Sequence, residues 1–202
     1  MQAYMRSRMP FHGVHAEETR RRAREVFSGV QFTTPAEWRA TLVALWDGAR
    51  FREERYAVVT LARSYVSDPF QTPRALPVFE HLIVTGAWWD LVDEIAIKCV
   101  GPLLLQHPRE VAGVMREWSL SSDLWKRRTA IICQVGAKER TDVALLADCI
   151  GPSIRSKEFF LRKAIGWSLR QYARTDPSWV RRFVAGHPTM SPLSRREALR
   201  HL

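Results

Sequence analysis

The sequence predicts an all-α chain of stacked helix pairs, on three observations. Apolar residues recur at helical spacing, as in Trp38, Leu42, Leu45 and Trp46, and no stretch alternates at period two for long enough to make a strand. Pro, Gly, Ser or Asp punctuates nearly every junction between the apolar segments. The chain also repeats itself. Arg55-Tyr56-Ala57-Val58, Arg128-Thr129-Ala130-Ile131 and Arg162-Lys163-Ala164-Ile165 each carry a basic residue two positions before Ala, then a β-branched residue. Leu91-Val92-Asp93-Glu94 falls between the first two, giving intervals of 36, 37 and 34 residues. A period of that length, made of helix pairs with short turns, is the signature of a right-handed α-solenoid of the HEAT kind. One pair cannot bury its apolar face alone, so neighbours stack and leave a long concave surface, which the excess of basic residues makes a basic face.

The elements follow in order. Residues 1–14 form a polar, aromatic lead-in that closes in a Pro-Phe-His-Gly turn. A helix over 15–27 carries Arg20, Arg21, Arg22 and Arg24 among Glu17, Glu18 and Glu25, a pattern that suits a solvated face or a phosphate-contacting end. Thr34-Pro35-Ala36-Glu37 is a helix start, with Thr34 as N-cap, Pro35 at the first helical position and Glu37 completing a capping box; Gly48 ends the segment. The next helix runs from about 52 to 65 and stops before Asp68-Pro69. Further helices are expected near 74–84, 88–99, 109–118, 123–136, 141–150, 157–174, 178–185 and 192–201.

Bulk properties narrow the function. The 202 residues, 46% of them hydrophobic, suffice for one repeat array with a sizeable core. No apolar run spans a bilayer and the N-terminus does not resemble a signal peptide. Cys99, Cys133 and Cys149 sit in apolar helical patterns without paired spacing, which predicts buried thiols in a reducing cytoplasm rather than a disulfide framework or a zinc site. A formal charge of +10, from 31 Lys and Arg against 21 Asp and Glu, makes a polyanion the first partner to consider, nucleic acid ahead of a membrane. Eight tryptophans are many for this length; some belong to the core, and a few are available to face a ligand.

The stretch Trp88-Trp89-Asp90-Leu91-Val92-Asp93 carries the chemistry. On a helix Trp89 and Asp93 share one face. The plain alternative is a core tryptophan beside a surface acid. Stacking the repeats argues otherwise, because Asp93 takes the place of Ala57, Ala130 and Ala164, and Trp167 takes the place of Thr60, Ala96 and Cys133. A carboxylate and a large aromatic have replaced small residues, and an unpaired inward carboxylate costs stability. Indole faces attract cations and a carboxylate stabilises developing positive charge. Both suit a cationic base on a polyanion, such as an alkylated purine in DNA, with Asp93 stabilising the oxocarbenium-like sugar or handling the attacking water. Arg128 is then a phosphate contact, against the alternative of an exposed arginine on a repeat helix. Lys157, Arg162, Lys163 and Arg170, with Arg174, make a basic helix interleaved with Trp167 and Tyr172, which is either a solvated face or a phosphate track.

The chain resembles the bacterial DNA alkylation repair glycosylases of the AlkD-like, HEAT-repeat type. The resemblance runs through Ala3-Tyr4-Met5-Arg6, Pro10-Phe11 and the 88–93 stretch. It continues in Leu124-Trp125-Lys126-Arg127-Arg128-Thr129-Ala130-Ile131, in Lys157 through Trp167, and in Leu193-Ser194-Arg195-Arg196-Glu197-Ala198. It implies monofunctional excision of N3- and N7-alkylated purines from duplex DNA, as in base-excision repair. The aromatic–acid pair then falls on Trp89 and Asp93, the active-site arginine on Arg128 and the second tryptophan on Trp167. It also implies no cofactor or metal, a monomer without membrane attachment, and action on distorted DNA without a deep base-flipping pocket. Relatives carry more residues ahead of Tyr4, enough for another helix. Residues 1–202 are thus expected to be a single HEAT-like domain, either lacking that element or numbered from an internal start. Two further readings stay open: a non-catalytic HEAT-repeat protein that binds damaged or distorted DNA, and a protein-interaction solenoid.

Overall fold

The computed structural model describes Ser7 and residues 9–202, and among them the chain is helical with no strand. The Ala3–Arg6 segment lies outside the described residues. The chain is an all-α helical-repeat protein that divides into two compact units, Met1–Gly86 and Ala87–Leu202.

In the first unit the helices are α1 (Ala16–Phe27), α2 (Pro35–Asp47), α3 (Arg52–Ala62) and α4 (Leu76–Gly86). Thr34 caps α2 as its sequence predicts, accepting from the Glu37 N–H at 3.1 Å, while the Glu37 carboxylate accepts from Thr33 N–H at 2.8 Å. The 3.6-residue period turns Trp38, Leu42 and Trp46 to one face, where all three are fully buried. A buried indole N–H without a partner is costly. Trp38 donates to Ser67 Oγ and Trp46 to Thr85 Oγ1, each at 2.8 Å. α3 stops at Ala62, short of the expected 65, and the chain continues as a 3₁₀ turn over Tyr65–Phe70 that accommodates Pro69. The lead-in is held by a buried carboxylate: Glu53 accepts from the N–H groups of His12, Gly13 and Val14. Gly13, at φ +84°, supplies the left-handed turn this wrapping needs.

The second unit holds α5 (Trp89–Ile95), α6 (Gly101–Gln106), α7 (Pro108–Ser119), α8 (Leu124–Ile132), α9 (Val143–Ile150), α10 (Phe159–Tyr172), α11 (Pro177–Gly186) and α12 (Pro192–Ala198). The helix expected over 88–99 runs on to Gln106 through a π-helical turn at Ala96–Val100. Pro102 has no N–H to give the preceding turn, and its ring crowds the carbonyl four residues back; a widened turn relieves both. Asp123, Asp142 and Asp176 cap α8, α9 and α11 through side-chain bonds to backbone N–H groups. α8 packs against α5, α7, α9 and α10, and α10 packs in turn against α11 and α12. Ile131, Ile132, Ile150, Leu161, Ile165 and Leu169 form the centre of this core. Cys99, Cys133 and Cys149 are buried thiols rather than members of a disulfide, and burial pushes the Cys149 thiol up to about 12. No helix among the described residues is long and apolar enough to cross a membrane.

Two glycines allow close helix approaches. A Cβ at Gly101 would lie 2.4 Å from the Cys133 carbonyl oxygen, and one at Gly166 would lie 2.4 Å from Cβ of Glu197. The first obstacle is backbone and cannot swing away. Gly101→Ala should therefore lose up to about 2 kcal/mol net, because an overpacking cost of about 1–3 kcal/mol offsets the gain in helix propensity of roughly 1 kcal/mol. Urea denaturation checks this; a more stable variant would show that α6 and α8 move apart without cost.

Candidate active site

α5 is entered through Ala87, at φ +39°, and Trp88, whose extended backbone forms the N-cap. A non-glycine residue in the left-handed region is strained, and it sets where the first turn begins. Trp89 then occupies the first helical position and Asp93 the fifth, one turn further on. Asp93 is not a surface acid: its side chain is 15% exposed.

Its partner is Arg128, in the middle of α8. Nε donates to Asp93 Oδ1 and Nη2 to Oδ2, each at 2.7 Å, and Nη1 donates to the Phe160 carbonyl of α10 at 2.6 Å. With 6% of its side chain exposed, Arg128 is a buried, fully engaged guanidinium rather than an arginine on a solvated face. The planar fork matches both carboxylate oxygens at once, which a lysine cannot do. Burial pushes the Asp93 carboxyl above its ordinary value of 3.8, with the bonds from Arg128 opposing and the neighbouring Asp90 and Glu94 charges adding to the rise.

Beside Arg128 lies an aromatic cluster whose three rings carried no assigned role in the sequence. Trp88, Trp125 and Phe160 form a mutual cluster with centroids 5.0–6.1 Å apart, and the Arg128 guanidinium carbon lies 5.9 Å from the Phe160 centroid. The Trp88 indole N–H is buried and finds no partner among the described residues. The Trp88-Trp89 doublet was a usable signal, since consecutive helix-start residues face different directions and only one can share a face with Asp93. Nothing in the sequence marked Phe160, which acts through its backbone carbonyl as well as its ring.

The remaining expected residues fall in different settings. Trp167 is partly buried and packs on the α8–α11 core; it lies on the same face of α10 as Phe160, seven positions on. The slot it fills is wholly buried elsewhere, at Thr60, Ala96 and Cys133. α10 spans Phe159–Tyr172 rather than 157–174, so Lys157 lies exposed in the preceding loop and Arg174 lies beyond the helix. Lys163 and Arg170 do not present free charges: both bond to Glu197 of α12, Lys163 at 3.0 Å, and these two cations hold the Glu197 carboxyl below the usual carboxylate range. Arg162 is partly exposed, with its Nε buried and unpartnered among the described residues. No group of three His, Cys, Asp or Glu side chains among the described residues is placed to hold a metal ion.

Breaking a buried pair by removing one partner strands the other charge. Arg128→Met is expected to lose about 3–5 kcal/mol in chemical denaturation, and Arg128→Met with Asp93→Leu should recover most of it. Additive losses would mean the pair is not coupled.

A family of proteins described as DNA alkylation repair enzymes matches residues 1–202 of the chain. Among solved structures, one described as a predicted DNA alkylation repair enzyme from Enterococcus faecalis superposes with a TM-score of 0.81 at 30% identity, over 100% of this chain and 92% of that one. AlkD2 from Streptococcus mutans gives 0.70 at 15% identity, over 99% and 96% of the two chains. The protein smu.31 from Streptococcus mutans UA159 gives 0.68 at 16%, over 92% of each. At those identities the two streptococcal structures speak to the fold alone. No curated protein sequence matches the chain.

Proposed function

We propose that this chain, which belongs to the DNA alkylation repair enzyme family, is a monofunctional DNA glycosylase. It hydrolyses the N-glycosidic bond of purines alkylated at N3 or N7, such as 3-methyladenine and 7-methylguanine, in duplex DNA. The observation that carries this reading is the buried Asp93 carboxylate, held through both oxygens by Arg128 beside an aromatic cluster. In the reaction, water adds to the sugar C1′ as the bond to the purine nitrogen breaks. The bonding electron pair passes onto the cationic ring, so the base departs neutral and needs no general acid; the proton from water goes to solvent. Positive charge develops on the sugar meanwhile, and a fixed carboxylate stabilises it without reorganising. Because Arg128 already bonds both oxygens, Asp93 serves as a fixed negative charge rather than as a base. Trp89 and Trp167 offer indole faces to the cationic nucleoside. Lys157 and Arg162 contact phosphate, and the chain's net charge of +10 supplies the attraction to the duplex. Lys163 and Arg170 join them only where phosphate competes with Glu197.

The same ion pair also favours a second reading, a non-catalytic protein that binds damaged DNA, because a carboxylate closed by a fork can be purely structural. Release of free 7-methylguanine and 3-methyladenine from methylated duplex separates the two. Asp93→Asn should slow release by about 10²–10³-fold while still binding DNA. DNA binding without release by the parent protein would leave the non-catalytic reading. A pH profile adds a second check. Activity needs ionised Asp93 and falls as acid protonates it; with the folded-state value raised, the acidic limb should lie above pH 3.8. Arg128→Lys, which loses the fork, should move that limb further up.

A further inference from the structure

The repeat places Arg55, Arg128 and Arg162 in one slot, and the structure shows what that slot is built to hold. Arg128 is clamped on one edge by a carbonyl, its Nη1 on Phe160 O at 2.6 Å, with an aromatic ring beside it. Arg55, on α3 of the first unit, has the same surroundings. Its Nη1 donates to Thr85 O at 3.1 Å, 30 residues along the chain where Arg128 reaches 32, and its guanidinium carbon stands 4.7 Å over the Trp46 ring. Trp46 is fixed in turn by its bond to Thr85 Oγ1.

The difference lies on the other edge. Arg128 closes its Nε side on a carboxylate, whereas Arg55 Nε is buried and has no hydrogen-bond partner among the described residues. A buried N–H left open is a cost that folding alone does not explain. The acid that acts on it is Asp47, which is bonded to His81 at 2.8 Å. Burial, with the Arg52 charge adding, pushes the Arg55 guanidinium below its ordinary value, and Asp47 opposes this only as the smallest of the three influences. The site is therefore short of negative charge.

We propose that Arg55 is a phosphate-binding residue of the first unit, which meets a DNA phosphodiester through the exposed part of its guanidinium, as Arg128 meets Asp93. The planar fork suits either anion, since both present paired oxygens. Arg55 is a backbone contact, remote from the bond that breaks, and positions the duplex without reading its sequence. This inference rests on the DNA-binding part of the function proposed above.

The test is binding of an undamaged duplex across a range of salt by the parent, Arg55→Gln and Arg55→Lys, with thermal unfolding measured alongside. Losing one phosphate contact should reduce the slope of log affinity against log salt by about 0.9. Arg55→Lys should keep most of that slope and bind with intermediate affinity. An unchanged slope in a folded Arg55→Gln protein overturns the proposal. Should that variant fail to fold, Asp47→Asn tests the same site with opposite sign: tighter DNA binding is expected, and no change overturns it. Inorganic phosphate provides the remaining arm. If it stabilises the parent but not Arg55→Gln while their DNA slopes agree, the site takes a free anion and the DNA assignment falls. Base release by the parent with a parental slope in Arg55→Gln would remove this inference and leave the glycosylase reading. Loss of slope in a protein that releases nothing would do the reverse.

Discussion

The fork between Arg128 and Asp93 is the interaction on which the second unit's site depends. One guanidinium ties three helices: it grips a carboxylate on α5, sits on α8 and donates to a carbonyl on α10. Each charge taken from water costs several kcal/mol, so neither residue would be tolerated here without the other. Three short bonds in one plane also fix the orientation of the carboxylate and the spacing between α8 and its neighbours. Phe160 brings its ring beside the guanidinium as well as its carbonyl, and Trp88 and Trp125 pack against that ring.

The same constraint explains why Asp93 is found in a slot that elsewhere holds alanine. Ala130 and Ala164 are buried at the helix contacts, where a larger side chain would force the helices apart. Asp93 is accommodated because the helix it belongs to starts afresh at the strained Ala87 and widens into a π turn just beyond it, so α5 need not follow the spacing of the other repeats. The Trp167 slot shows a related departure. Thr60, Ala96 and Cys133 end inside the core, but an indole in that position outgrows it and emerges partly exposed.

What could be read in the sequence was what depends on period and local chemistry. The all-α class, the Thr34 cap and the exceptional positions of Asp93 and Trp167 all follow from spacing, because helical faces are set by i+3 and i+4 relations whatever the tertiary context. Contacts between distant segments were not legible. The pairing of Arg128 with Asp93 spans 35 residues and gives no local sign, so Arg128 read as a phosphate contact and Asp93 as a carboxylate without a partner. Phe160 was invisible for a further reason: its backbone carbonyl takes part, and every residue has one. Helix ends also drifted, at Ala62 and Tyr172, where capping by backbone geometry rather than by side chains left no residue signature.

Charge shows the same limit in a form that bears on binding. Counting Lys163 and Arg170 among the basic residues of α10 overstates the field that a phosphate would meet, because Glu197 holds both, and the close approach at Gly166 brings α12 near enough for it to do so. A phosphate must displace a carboxylate there, an exchange of one anion for another that releases little free energy. Cations without such a partner need no displacement. Among residues of the repeated basic slot, that condition separates Arg55 and Arg162, whose Nε groups bond no carboxylate among the described residues, from Arg128, whose Nε bonds Asp93. One slot thus serves two ends according to whether a carboxylate stands opposite: where Asp93 does, the arginine fixes the acid, and where none does, the arginine is left to meet an anion from outside.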